Sequence, residues 1–374
     1  MKKIILAPGP LTTNPLVRDS ASVDYPARDS SVTLMTSRIR ARLLELSSGN
    51  DTHTTILLQG CGTFAVEAAI QTLIPRETGH ALVLANGVYA QRIYEICKRL
   101  ALKTSLHTTS DLIPVNPLDV RQILEADTSI TDVLFVHCET ATGIINPLHQ
   151  VADVVSSMGR GFIVDAMSSF GALPVDLKAT PIRALITSSN KCLEGLPGIG
   201  IIIADRQHLN KCQANARSLS LDLYEQYQRF EADGQWRFTP PVQIVAALDH
   251  AISLLIAEGG IDSRYQRYQE NMQELISHMQ MLDFIPVLSP EVQSPIIAAF
   301  YYPTNFNFAE LYERLKADNI FLYPGALTER QTFRIGCIGA INRHDISFVI
   351  NKIAAICKPA FDYKIATSSD YADK

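Results

Sequence analysis

The sequence has no long apolar run; no uninterrupted stretch reaches the ~20 residues of a membrane-spanning helix. It also lacks a charge excess, with 33 basic against 38 acidic side chains and a net charge of −5. That argues against a nucleic-acid binder dominated by basic patches. The seven cysteines (Cys61, Cys97, Cys138, Cys192, Cys212, Cys337, Cys357) are scattered and form no C-x-x-C pair. A disulfide framework or structural zinc site is therefore not expected, and reduced thiols in a cytoplasm are. None of the nine histidines falls at a metal-ligand spacing such as H-E-x-x-H, so no metal is expected. A secretory leader is imitated only briefly. The apolar run behind Lys2-Lys3 stops at Pro8-Gly9-Pro10, short of the roughly 7–15 residues of a signal core. The chain also lacks internal repeats and low-complexity segments.

What remains is an ordinary folded composition, 47% hydrophobic and 19% charged over 374 residues, with length for about two domains. From about residue 50 to 205 short apolar runs alternate with helical patterns. Thr55–Leu58, Ala81–Ala85, Val133–Val136, Phe162–Val164, Ala184–Thr187 and Ile199–Ile203 read as strands buried on both faces. Between them lie amphipathic helices, among them Thr63–Ile74, whose Phe64, Val66, Ala69, Ile70 and Leu73 share one side, Tyr89–Leu100 and His149–Met158. Such alternation predicts a mostly parallel sheet covered by helices. The fold class is α/β.

Residues 213–235 are polar and read as helical. Pro240-Pro241 then breaks the chain before an apolar helix, Val242–Glu258, and Gly259-Gly260 marks a boundary. A charged helix over Ile261–Leu282 follows. Strands at Ile296–Tyr301, Ile320–Tyr323 and Phe333–Ile335 and helices at Ala309–Asp318 and Asp345–Ile356 suit a smaller α/β domain. The expected division is 16–258 for the large domain, with 1–15 and 259–374 forming the small one. The polar end, Thr367–Lys374, is expected to fray.

Ligands of open parallel sheets bind outside the carboxyl ends of the strands, so those ends are where chemistry belongs. The first strand leads through Gln59-Gly60-Cys61-Gly62 to Thr63 and directly into a helix. Glycines and free amides at a helix start can cradle an anion; the plain alternative is a tight turn capped by Thr63. Asp165 ends a stretch too apolar to leave a carboxylate unpartnered, whether it serves as a cap or as a fixed anion facing a cation. Lys191 stands beyond the strand Ala184–Thr187 and ahead of a glycine-rich segment; alone it reads more readily as a solvated loop lysine. Together the three are more telling. A phosphate cradle, an aspartate and a lysine at one sheet edge are the parts that pyridoxal phosphate requires for its phosphate, ring nitrogen and aldehyde.

At this point the sequence resembles the class V aminotransferases of the aspartate-aminotransferase fold (fold type I), which depend on pyridoxal 5′-phosphate. Within them it resembles the branch acting on 2-aminoethylphosphonate and pyruvate. The likeness runs from Leu6-Ala7-Pro8-Gly9-Pro10-Leu11 to about residue 357. It is carried by Gly60–Thr63, His137-Cys138-Glu139-Thr140-Ala141-Thr142-Gly143 and Val164–Gly171. Ser188-Ser189-Asn190-Lys191-Cys192-Leu193-Glu194-Gly195 and Phe333-Arg334-Ile335-Gly336 add to these. The resemblance implies covalent attachment of the cofactor at Lys191, pairing of Asp165 with the ring nitrogen, and phosphate binding by Gly62 and Thr63. It implies that Tyr89 stacks on the ring. Thr239 would reach the phosphate of a neighbouring subunit, making a homodimer with shared active sites. Ala141 departs from the family pattern, where a hydroxyl residue is usual, and Thr142 or Thr140 is expected to substitute for it.

Arg334 interrupts an apolar strand, and a guanidinium suits a carboxylate or phosphonate through paired hydrogen bonds; a partner Asp or Glu is the alternative. In the family this arginine binds the substrate acid group. Arg28 is assigned a second contact to the phosphonate, with a surface pair to Asp29 as its alternative. The expected reaction converts 2-aminoethylphosphonate and pyruvate to phosphonoacetaldehyde and L-alanine. Alanine:glyoxylate or serine:pyruvate transamination differs only in the acid-binding pocket. Cysteine desulfurases usually carry His where Asn190 stands and a reactive loop cysteine, for which Cys337 is the nearest candidate. A non-catalytic relative is disfavoured by intact Lys191, Asp165 and Arg334. His137 closes a strand near the cofactor edge and reads either as a pocket residue or as a satisfied buried histidine.

Overall fold

In the computed structural model of the protein, residues 2–327 and 330–368 are described. Seven strands form the main sheet, in spatial order His53–Gln59, Ile199–Asp205, Ala184–Ser188, Gly161–Asp165, Asp132–Val136, His80–Ala85 and Lys103–Thr108. Only Ile199–Asp205 runs antiparallel to its neighbours; the remaining pairings are parallel. Helices cover the sheet, so its central strands are buried along their whole length. All the parallel strands present their carboxyl ends at one edge, which brings Gly60, Asn86, His137, Asp165 and the chain after Ser188 together.

Two apolar cores are distinct. The larger joins residues from Val32 to Leu255; the other gathers Ile4 and Leu6 with residues from Met272 to Cys357. The second core packs on a three-stranded antiparallel sheet, in the order Ile297–Tyr301, Thr332–Gly336, Tyr323–Pro324. Ile4–Ile5 pairs with Ile320–Phe321, which ties the start of the chain to this region. The apolar helix Val242–Glu258 has the expected bounds, and Gly259, in left-handed conformation, separates it from Gly260–Met281.

Several elements differ from expectation. Lys103–Thr108 is an edge strand with exposed and half-buried residues, and its polar pattern hid it. The stretch 213–235 is helical only over Leu223–Asp233. Ile320–Tyr323 is not one strand but the ends of two, Ile320–Phe321 and Tyr323–Pro324. The last helix extends over Arg343–Ser368, beyond the expected Ile356. Phe64 is 48% exposed, although its spacing placed it on the buried face of Gly62–Leu73. The expected fraying of the terminus falls partly on residues 369–374, which lie outside those described.

Candidate active site

At the carboxyl edge of the sheet lies a cavity of about 260 Å³. Its wall includes Gly62, Thr63, Tyr89, Arg92, Asp165 and Lys191, residues that four separate strand ends or helix starts deliver. The helix Gly62–Leu73 begins here with no side chain capping its first turn, so its leading amides are free to meet an anion. Thr63 adds a hydroxyl that has no hydrogen bond to another described residue. A Cβ on Gly62 would stand 2.3 Å from the Met167 sulfur, so that flexible thioether would have to move aside.

Asp165 ends its strand only 8% exposed. One oxygen accepts the Met167 amide (2.8 Å), and no basic side chain lies within ion-pairing distance among the described residues. Burial pushes its carboxyl up to about 6, opposed by the Met167 amide and by the charges of Lys191 and Arg92. A carboxylate so placed calls for a cation from outside the chain. Lys191 shows the opposite displacement, because burial holds its ammonium below the usual lysine range. Its Nζ donates to the Pro8 carbonyl (2.8 Å). Gly9 makes that approach feasible, since at φ +126° a Cβ would meet the Lys191 Cδ at 2.7 Å and the Asn190 carbonyl at 2.9 Å.

Tyr89 opens the helix Val88–Arg99 on the cavity wall, with the Arg92 guanidinium carbon 5.1 Å from its ring centre. Glu139, wholly buried, accepts the Tyr89 and Ala90 amides on Oε1 (3.0 and 2.8 Å), and its Oε2 has no partner. Burial, with Asp165 nearby, pushes Glu139 up to about 7, against the pull of those amides. His137 is likewise buried, with Nδ1 unpartnered, and burial lowers it to about 4; it does not line the cavity.

Arg334 lies in the small sheet, 8% exposed, and donates from Nε to the Pro324 carbonyl (3.0 Å) and from Nη1 to the Thr140 carbonyl (2.9 Å). No carboxylate pairs with it among the described residues, so the alternative of an internal Asp or Glu partner is not realised. Its charge is felt at Lys191, where it disfavours the ammonium.

Four expected residues do not line this cavity within one chain: Arg334, just described, and Thr142, Arg28 and Thr239. Thr142 is buried and accepts the Ile144 amide at 3.4 Å; the hairpin holding it meets Arg334 through a backbone carbonyl instead. Arg28 is exposed and donates to the Trp236 carbonyl (2.9 Å), and its expected alternative partner, Asp29, instead caps the helix Ser30–Leu46. Thr239 is exposed beside Phe238, close in sequence to the segment that Arg28 binds. Cys337 is fully buried, and burial pushes its thiol far above the ordinary range, which removes the reactive cysteine a desulfurase needs at that position. Sequence reasoning missed Arg92, Glu139 and the Pro8-Gly9 carbonyl loop. The last closes across the fold and leaves no local periodic signal.

The cavity therefore presents a helix start for a phosphate, a buried aspartate for a protonated ring nitrogen and a half-buried amine for an aldehyde. These donors fit pyridoxal 5′-phosphate. Comparison with known proteins agrees. Residues 22–343 match the family model described as Aminotransferase class-V. The chain is 48% identical over 353 residues to a Burkholderia lata protein named 2-aminoethylphosphonate–pyruvate transaminase 2, covering 94% of each chain. A Pseudomonas putida protein named 2-aminoethylphosphonate–pyruvate transaminase is 43% identical over 357 residues, 95% of this chain and 97% of that one. Among solved structures, alanine–glyoxylate aminotransferase from Nostoc superimposes with a TM-score of 0.88 at 22% identity, covering 95% of both chains; it supports the fold.

Proposed function

The chain belongs to the class V aminotransferases, and from that premise we propose that it moves the amino group of 2-aminoethylphosphonate to pyruvate. The products are phosphonoacetaldehyde and L-alanine. The observation that carries this choice of substrates is the near-full-length similarity to relatives bearing that name. Arg334, buried without a counter-carboxylate, supplies the matching chemistry.

When bound, pyridoxal 5′-phosphate supplies an aldehyde that takes up the amino group and a cationic ring that withdraws electrons from the neighbouring carbon. Gly62 and Thr63 would hold its phosphate through the helix start. Asp165, whose carboxyl resists ionising in a dry site, ionises readily once a ring N–H⁺ faces it, and keeps that nitrogen protonated. Tyr89 would supply the aromatic face for the ring, and Glu139 fixes Tyr89 by holding the two amides at its helix start. Lys191 is the base. Burial favours its neutral amine, so Nζ would take the proton from the carbon bearing nitrogen and deliver one to the former aldehyde carbon of the cofactor within the same half-reaction, and the second half-reaction would run that transfer in reverse. Arg334 holds the acid group of each substrate in turn. A guanidinium accepts phosphonate or carboxylate, which lets one site serve both halves of the exchange.

The exposed Thr239 and Arg28 fit a homodimer in which each chain completes its neighbour's site, and the free thiols suit a cytoplasmic enzyme. An amine-donor panel with pyruvate, read by alanine formation, tests the reading. Turnover of 2-aminoethylphosphonate ahead of serine and aspartate is expected. Alanine- or serine-dependent conversion of glyoxylate with no turnover of the phosphonate would overturn it.

A further inference from the structure

The helix Gly260–Met281 contributes nothing to the cavity wall, yet it carries buried charge directed at the Lys191 loop. Arg264, 2% exposed, donates from Nη1 to the Cys192 carbonyl (2.9 Å), next in sequence to Lys191. Its Nε and Nη2 bind Glu258 (3.0 and 2.7 Å). Glu194, 7% exposed and held at φ 59°, donates its amide to the Lys191 carbonyl (2.8 Å). One carboxylate oxygen of Glu194 accepts from Tyr268 Oη (2.5 Å) and from Arg267 Nη2 (2.8 Å).

The same helix grips the chain where it leaves the Arg334 strand. Arg267 Nη1 donates to the Gly339 and Ile341 carbonyls (2.6 and 2.9 Å), and Asn271 donates to the Cys337 carbonyl (3.1 Å). The Gly339 amide donates to Tyr268 Oη (3.2 Å). One buried hydroxyl thus touches the loop behind Lys191 on one side and the segment beyond Arg334 on the other. Stability alone does not account for such a cluster. Buried ion pairs are often replaceable by apolar side chains without loss, and their better-attested use is to select one arrangement.

We propose that Tyr268, with Glu194 and Arg267, is a positioning unit that sets the Lys191 amine relative to Arg334. Those two groups face opposite ends of one substrate in the aminotransferase reading, on which this inference rests. The unit therefore fixes the span between reacting carbon and acid group. Misplacement at that scale costs rate even when every contact group is present.

The test is Tyr268→Phe in the cofactor-loaded enzyme, which removes the hydroxyl and keeps the ring under Arg267. Loss of the two hydrogen bonds should shift the pH midpoint of the bound cofactor's visible absorbance by about half a unit. In the same variant kcat/KM should fall roughly 10-fold for amine donor and pyruvate alike. Glu194→Gln, closest in shape, should show the same pair of changes and decides the matter should the phenylalanine variant not fold. A lowered Tm with absorbance midpoint and kinetic constants at wild-type values would overturn the proposal. Wild-type enzyme that transaminates no donor would sink the aminotransferase reading instead, while the absorbance midpoint still decides this one.

Discussion

The groups assigned to the active site fall in two regions that differ in how far one chain completes them. On the sheet side Asp165, Lys191 and Arg334 are sequestered, and none forms an ion pair with an opposite charge among the described residues. On the outer side Arg28 and Thr239 are exposed, and Arg28 is occupied by the Trp236 carbonyl of its own chain. The difference is one of free energy. A charge removed from water without a partner is costly, so its persistence points to a ligand that arrives later. An exposed charge is solvated and signals nothing alone. Substitutions should therefore separate the two regions by orders of magnitude.

The largest effect belongs to Lys191. Lys191→Ala removes base and attachment point together, and kcat should fall by roughly 10,000-fold. Visible absorbance of the cofactor bound through the lysine should vanish in parallel. A variant that kept both would overturn the role of Lys191. Arg334→Ala comes next. Loss of a paired, partly desolvated contact should raise KM roughly 100-fold for 2-aminoethylphosphonate and for pyruvate. If only one substrate suffers, the shared acid site is wrong.

Legibility followed the same divide. Asp165 stood out in the sequence because it ends a run of apolar residues that a parallel sheet buries, whereas Lys191, three residues beyond its strand, was telling only together with Asp165 and the Gly60–Thr63 turn. The strand Lys103–Thr108 was invisible for the converse reason, as an edge strand keeps polar residues on a half-wet surface. Phe64 fits the helical period of its neighbours but sits in the first turn, where the helix emerges from the sheet edge. Periodicity gives a face, not the depth of each end. Arg92 looked like one polar residue on an amphipathic helix; that its face meets Asp165 and Lys191 is a matter of tertiary packing. The Pro8 carbonyl lies 183 residues from Lys191 in sequence, so no local pattern could pair them.

A smaller effect should appear in stability rather than rate. Glu139 is raised from 4.5 to about 7, chiefly by burial, so between those values the folded chain holds a proton that the unfolded chain releases. This contribution is fully present below pH 4.5 and is lost as pH rises through 7. Cofactor-free protein should therefore lose Tm from pH 5 to 8, and Glu139→Gln should reduce that loss by about 3 °C. Gln can still accept the Tyr89 amide, while Asp165, raised to about 6, retains part of the slope. An unchanged profile would show that Glu139 is ionised in the fold.

The smallest effect tests the outer region. Arg28→Ala deletes hydrogen bonds to Trp236 and Gln235 at an exposed site, where such contacts contribute little. Tm should move by less than about 2 °C and KM by less than about twofold for either substrate. The phosphonate offers a sharper reading than pyruvate, because it carries up to two negative charges and gains more from a second cation. A KM rise of roughly 10-fold confined to 2-aminoethylphosphonate would place Arg28 at the acid group after all. Since Arg28 is turned away from its own cavity, that contact would have to cross to a second copy of the chain. Mixing Arg28→Ala with Lys191→Ala chains would then separate the two geometries. A cross-subunit contact leaves the only lysine-bearing site in a mixed dimer facing an intact Arg28, restoring its KM for the phosphonate to the wild-type value.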